Sequence, residues 1–187
     1  GLSTSEIDMI AKVEKSSTKE ILGRLKDAGL QSMPGAGAEI LVDSVKDIIS
    51  PKKISSSDWI RIMNESHDLG IPSSATMMYG HVENKNDIVD HFFKLVKLQE
   101  KTKGFIAFIP WNFEPNNTLM QEEGIVEIGT GGIQLLKMIA ISRLIFDGLI
   151  PHIQSSWLTN GVGMAQLALQ YGADDFGGTL IGEEVVS

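Results

Sequence analysis

The sequence predicts an α/β protein built on parallel strands, and three observations carry that prediction. Short apolar runs with strand character alternate with longer stretches of helical periodicity, in the order β-α(α)-β-α-β-α-β-α-β behind one leading helix. Each apolar run stops abruptly at Gly, Pro, Trp, Asn or Asp. Strict alternation implies right-handed crossovers, and therefore parallel pairing. Five strands are too few to close an eight-stranded barrel, while the chain opens on a helix and stops just after its last strand. The expectation is one domain over residues 1–187: about five β/α units, the C-terminal portion of a (β/α) barrel cut at both ends.

The elements follow in order. Ile7, Met9, Ile10 and Val13 give residues 1–15 a weak helical spacing. Ser17 and Glu20 have the form of a capping box ahead of Ile21, Leu22, Leu25 and Ala28, and Gly29 supplies the stop; helix is expected over 18–28. Residues 30–33 read as a short strand ended by Pro34-Gly35-Ala36-Gly37. A helix over 39–49 stops before Pro51, and serines 55–57 cap another over 58–68. Further strands are expected at 73–78, 105–109, 153–158 and 176–181, with helices at 86–102, 131–146 and 163–171. The stretch 110–129, about 20 residues, exceeds an ordinary connection and reads as a functional segment or lid.

Composition narrows the function. The chain has 187 residues, 42% of them hydrophobic, with a formal net charge of -8. No apolar run approaches the ~18–20 residues of a membrane span, and the first ten residues lack the basic and apolar regions of a secretory signal. The 16 basic residues are scattered, without the stripe that nucleic-acid binding needs. An acidic cytoplasmic protein is the plain reading. There is no cysteine, which excludes disulfides, thiolate metal ligands and a cysteine nucleophile within these residues. The four histidines show no metal-ligand spacing, so no metal ligand is assigned.

In parallel α/β sheets, ligands collect at the C-terminal strand ends. Those ends are residues 34–39, 79–83, 111–117, 157–161 and 174–179, and together they would form one rim around a nucleoside-like small molecule. Trp111 and Trp157 can wall a flat ring. Asn117, Asn160 and Thr179 can bond ribose hydroxyls or base edges, and Glu39, Glu83 and Asp175 can accept from hydroxyls or ammonium groups. Plainer readings stand beside these: a glycine after a strand is more often a turn residue than a ligand contact, and His81 alone need only bond a nearby carbonyl. His67, His91 and His152 are read as structural.

At these strand ends a resemblance emerges. PGAGAEIL, SPKKIS, ATMMYGHVE, FIPWNFEPNNT, IQSSWLTNG and GADDFGGTLIGEEVV resemble one family of radical SAM enzymes, which contains the menaquinone-pathway enzymes acting on futalosine derivatives and the deazaflavin-cofactor synthase. The PWNFEPNNT and SSWLTNG segments are most similar to cyclic dehypoxanthinyl futalosine synthases, radical cyclases of that pathway. The alternatives are a deazaflavin-cofactor (FO) synthase or an aminofutalosine synthase-like enzyme and, from another class, a non-catalytic α/β binding or assembly domain. The resemblance implies a radical SAM barrel, S-adenosylmethionine, a [4Fe-4S] cluster and an external electron donor; a homo-oligomer is left open. It implies that Thr76, Met78, Gly80 and Glu83 form the motif whose backbone contacts the adenine, with Ile109 and Pro110 adding apolar contact. Ser32 and Glu39 would lie near the ribose and methionine part. Trp111, Asn117, Trp157, Asn160 and Thr179 would face substrate, and His81 or Asp175 would take a proton. The family's cluster-binding CxxxCxxC loop is not in this sequence, so these residues alone are expected to be inactive.

Overall fold

In the computed structural model of the chain, residues 2–126 and 129–178 are described. The elements are α1 (Thr4–Glu14), α2 (Thr18–Asp27), α3 (Asp43–Ile49), α4 (Ser56–Asp68), β1 (Ser73–Tyr79), α5 (Lys85–Thr102), β2 (Phe105–Asn112), α6 (Leu119–Glu122), α7 (Gly132–Phe146), β3 (His152–Ile153) and α8 (Trp157–Ala168), closed by a 3-10 turn at Leu169–Tyr171. Local capping sets several of the starts. Ser17 and Glu20 form the expected box before α2, Ser55 accepts from Asp58 N–H before α4, and Asn84 pairs with Asp87 before α5.

β1 pairs in parallel with β2, and β2 with β3. Single parallel bridges extend the array at both edges, Met33 with Ser73 and Gln154 with Asp175. Four of the expected strand segments, the first reduced to the Met33 bridge, therefore lie side by side in chain order with the chain at Asp175 beyond them, all parallel, as successive units of a (β/α) barrel do. The helices cover one face. Ala75, Met77, Tyr79 and Phe108 are buried there with Phe92, Leu95, Leu135, Ile139 and Phe146. A second core joins α1, α2 and α4 through Ile7, Ile21, Leu22 and Ile62. On the other face, Thr76, Ile109 and Trp111 are only half-buried, which suits the interior face of a barrel. Among the described residues, no helix is long and apolar enough to cross a membrane.

Several boundaries differ from expectation; the strand expected over 30–33 is a single bridge at Met33, and the helix expected over 163–171 runs over Trp157–Ala168. The helix expected over 39–49 starts at Asp43, because Glu39 adopts a left-handed backbone (φ 48) that no helix accommodates. The strand expected over 105–109 runs through Pro110 to Asn112. β3 pairs only with Ala107 and Phe108, so the hydrogen that Pro110 lacks has no ladder partner to miss. The strand expected over 153–158 is reduced to His152–Ile153, since Ser156 is left-handed (φ 51) and α8 begins directly after it. The strand expected over 176–181 is no strand at 176–178, and 179–181 lie outside the described residues.

Candidate functional site

The C-terminal ends of β1, β2 and β3 meet at one end of the sheet. Met78 pairs with Trp111 and Tyr79 with Asn112 in the ladder, and Phe113 N–H donates to Tyr79 O at 2.7 Å. Beyond β1 the chain turns at Gly80 (φ 87). The Glu83 carboxylate takes the N–H of Gly80 at 2.6 Å and of His81 at 2.9 Å. Burial would raise this carboxyl's pKa, but its bonds to His81 and to the Gly80 amide hold it below the usual value. His81 Nδ1 lies 2.8 Å from Val82 N and 3.0 Å from Glu83 Oε2, and Nε2 lies 3.2 Å from Met78 O, so both ring nitrogens are engaged within the turn. A side chain at position 80 would overlap Thr130, which passes directly over the turn. Met78, Phe113 and Val126 form a small apolar cluster with Trp111, Val82 and Met120, so the expected lid segment is seated on the strand ends.

The neighbouring ends are tied to the same rim. Met78 N–H donates to Glu39 O at 2.7 Å, and the buried Glu39 carboxylate pairs with Lys53. Gly35 lies so close to Ser74 and Ala75 that a Cβ would strike their backbone, and its carbonyl accepts from Thr76 Oγ1 at 2.8 Å. On the other side, Asn160 Nδ2 donates to Asn112 Oδ1 at 2.7 Å, and Ser156 Oγ donates to Pro110 O at 2.6 Å. Trp157 Nε1 donates to Gly178 O at 3.2 Å. Asp175 accepts from Gln154 Nε2 at 3.3 Å and from Gly177 N–H at 2.8 Å.

Gly80, Trp111, Trp157, Asn160, Asp175 and Glu39 are therefore brought to one end of the sheet. Ser32 is not: it is exposed and precedes Met33, which pairs with the first residue of β1 at the opposite end. Ile109 shares the open face with Thr76, whereas Pro110 points to the helix side, as alternation along a strand requires. Asn117 is exposed in the loop before α6, and Thr179 lies outside the described residues. Asn112 falls within the expected rim segment 111–117 but was given no role of its own there, and Thr130, outside the expected rim, carries no sequence signal of its contact with Gly80.

Residues 3–95 match the family model described as the Radical SAM superfamily. Residues 102–187 match the model described as the CofH/MqnC C-terminal region. Among curated proteins the chain is similar to 5-amino-6-(D-ribitylamino)uracil--L-tyrosine 4-hydroxyphenyl transferases. That of Methanocaldococcus jannaschii is 48% identical over 167 residues, covering 89% of this chain and 46% of that protein. That of Methanothermobacter thermautotrophicus is 44% identical over 185 residues, covering 99% and 50%. That of Methanospirillum hungatei is 43% identical over 182 residues, covering 97% and 50%. The chain spans about half the length of the curated relatives it matches. These names do not support the futalosine cyclase expected from the sequence. They agree better with its alternative, a deazaflavin-cofactor (FO) synthase-like enzyme, because they describe a transfer between two molecules.

The radical SAM family matched by residues 3–95 uses S-adenosylmethionine and a [4Fe-4S] cluster. The residues present do not fit the cluster: the chain has no cysteine, and among the described residues no group of three or more His, Asp or Glu side chains could hold a metal ion. Toward the nucleoside part of S-adenosylmethionine, the half-buried Ile109 and Trp111 leave apolar surface partly open beside the Gly80 turn, while Thr130 takes the space directly over Gly80.

Proposed function

We propose that this chain serves in a radical SAM transferase that joins the 4-hydroxyphenyl group of L-tyrosine to 5-amino-6-(D-ribitylamino)uracil. The observation that carries the proposal is the shared name of relatives 43–48% identical to this chain over at least 89% of its length. S-adenosylmethionine, together with a cluster held by thiolates that this chain does not contain and an outside electron donor, supplies a hydrogen-abstracting radical.

The chain's own residues orient and shield. Met78, Gly80 and Ile109 hold the adenine, and Glu39 lies toward the ribose and methionine part. Trp111 and Trp157 present indole faces to a flat ring, and a pyrimidine or a phenol suits both. Asn160, fixed by Asn112, offers polar groups to the uracil carbonyls or the ribityl hydroxyls. The segment seated on the strand ends excludes water, which keeps a reactive radical from being quenched. Asp175, which accepts hydrogen bonds from Gln154 and the Gly177 amide, is the carboxylate that would take the proton.

Product analysis tests this. Cluster-loaded enzyme given ring-labelled tyrosine and the ribitylaminouracil is expected to yield one product carrying both the label and the pyrimidine. Turnover of dehypoxanthine futalosine instead, with no joined product, would return the cyclase reading. No cleavage of S-adenosylmethionine with either substrate would favour a non-catalytic domain.

A further inference from the structure

Residues 37–41 cannot hold their shape by themselves. Gly37 (φ 88) and Glu39 (φ 48) are both left-handed, and a non-glycine residue keeps that conformation only when its surroundings enforce it. The enforcing groups come from other elements. Lys46, on α3, is 3% exposed, and its Nζ donates to Gly37 O at 2.7 Å and to Ala38 O at 3.2 Å. From α5, His91 Nδ1 accepts Leu41 N–H at 2.9 Å, and Lys94 Nζ donates to Leu41 O. From β1, Met78 N–H donates to Glu39 O at 2.7 Å. The peptide that carries Glu39 is thus gripped on one side by the Lys46 ammonium and on the other by the strand that leads into Gly80.

A buried ammonium is costly to keep, and here its acceptors are two carbonyls of one turn. Two convergent carbonyls need a cation or a multiple donor between them, and an apolar side chain would leave both unpaired. We propose that Lys46 is a positioning residue: it fixes the Glu39 turn against the end of β1 and so sets where Glu39 meets the ribose and methionine part of S-adenosylmethionine. This rests on the reading that the rim holds S-adenosylmethionine, but not on which substrate follows it.

The test uses cluster-loaded enzyme, with S-adenosylmethionine as the probe. Dissociation constants are measured by equilibrium dialysis, and hydrogen exchange is followed at the Met78 amide. Lys46→Met is expected to weaken S-adenosylmethionine binding by about tenfold or more, since small misplacements of a binding group cost that much. It is also expected to speed exchange at Met78. Lys46→Arg, which can still donate to both carbonyls, is expected to retain both properties. Methylammonium added to Lys46→Gly is expected to restore part of the affinity. If Lys46→Met does not fold, Lys46→Gln is read in the same way. Unchanged affinity in a folded, neutral variant overturns the proposal. Unchanged affinity in Glu39→Gln overturns it too, by showing that Glu39 does not meet the ligand, and that outcome is independent of which product the enzyme makes.

Discussion

His67 and His91 are both buried, and each is built into the fold as a neutral ring. His67 Nδ1 shares a hydrogen bond with Thr102 Oγ1 at 2.7 Å and Nε2 with Ser73 Oγ at 2.8 Å, while the Phe105 ring meets it edge-on at 4.8 Å. Burial pulls its pKa down to about 4. His91 is fully buried, and burial, followed by the nearby charges of Lys94 and Lys46, pulls its pKa down to about 3. For each, the folded pKa lies below the unfolded value of about 6.5, so the unfolded chain binds more protons in acid. Their contribution to stability is complete above about pH 6.5 and declines as the pH falls toward 4, at up to ~1.4 kcal/mol per pH unit for each ring. Urea unfolding at pH 7, 6 and 5 is expected to show a midpoint that drops steadily with acid. A midpoint flat across that range would mean that the two rings are not buried neutral.

Among the elements, α2 has the most local specification. Ser17 Oγ accepts Glu20 N–H at 3.2 Å, and the Glu20 carboxylate accepts Ser17 N–H at 2.9 Å. Ser17→Ala removes half of that reciprocal pair and is expected to cost about 1 kcal/mol, read as a lower urea midpoint with an unchanged slope. This helix was legible in the sequence to within one residue because its cap, its apolar stripe and its stop all lie within a dozen positions. The start of α3 was not, because Ile40 and Leu41 have helical spacing but are buried in a turn that α3, α5 and β1 impose from outside. β3 was overread because Ile153 is followed within five positions by Trp157 and Leu158, yet left-handed Ser156 divides that stretch between strand and helix. The rim was legible because the apolar strands of this chain break off at glycine, tryptophan and asparagine, and ligands collect at the C-terminal ends of parallel strands. Its internal ties were not, since Asn112 meets Asn160 from 48 positions away and Lys46 meets bare carbonyls, which carry no residue identity. Ser32 was misplaced because sequence proximity to Glu39 says nothing about which end of the sheet a residue occupies.

At the scale of the whole molecule, the parallel array sorts the chain into a helix-covered face and a face whose residues remain half-open. That face and the rim above it supply orientation, flat apolar surface and a seated loop. They do not supply electron transfer. A [4Fe-4S] cluster is held by thiolates, and the chain contains none. On the proposed reading, binding a nucleoside and generating a radical from it are separable: the first would depend on Gly80, Ile109, Trp111 and Glu39, the second on thiolates that this chain does not contain. The expected outcome for this chain alone, after anaerobic treatment with iron and sulfide, is no cluster absorption and no 5′-deoxyadenosine released from S-adenosylmethionine in the presence of a strong reductant. S-adenosylmethionine or adenosine should nonetheless slow hydrogen exchange at the Met78 and Phe113 amides, which lie beside the Gly80 turn. Release of 5′-deoxyadenosine by these residues alone would refute the division, and exchange rates unmoved by either nucleoside would refute the placement of the binding half.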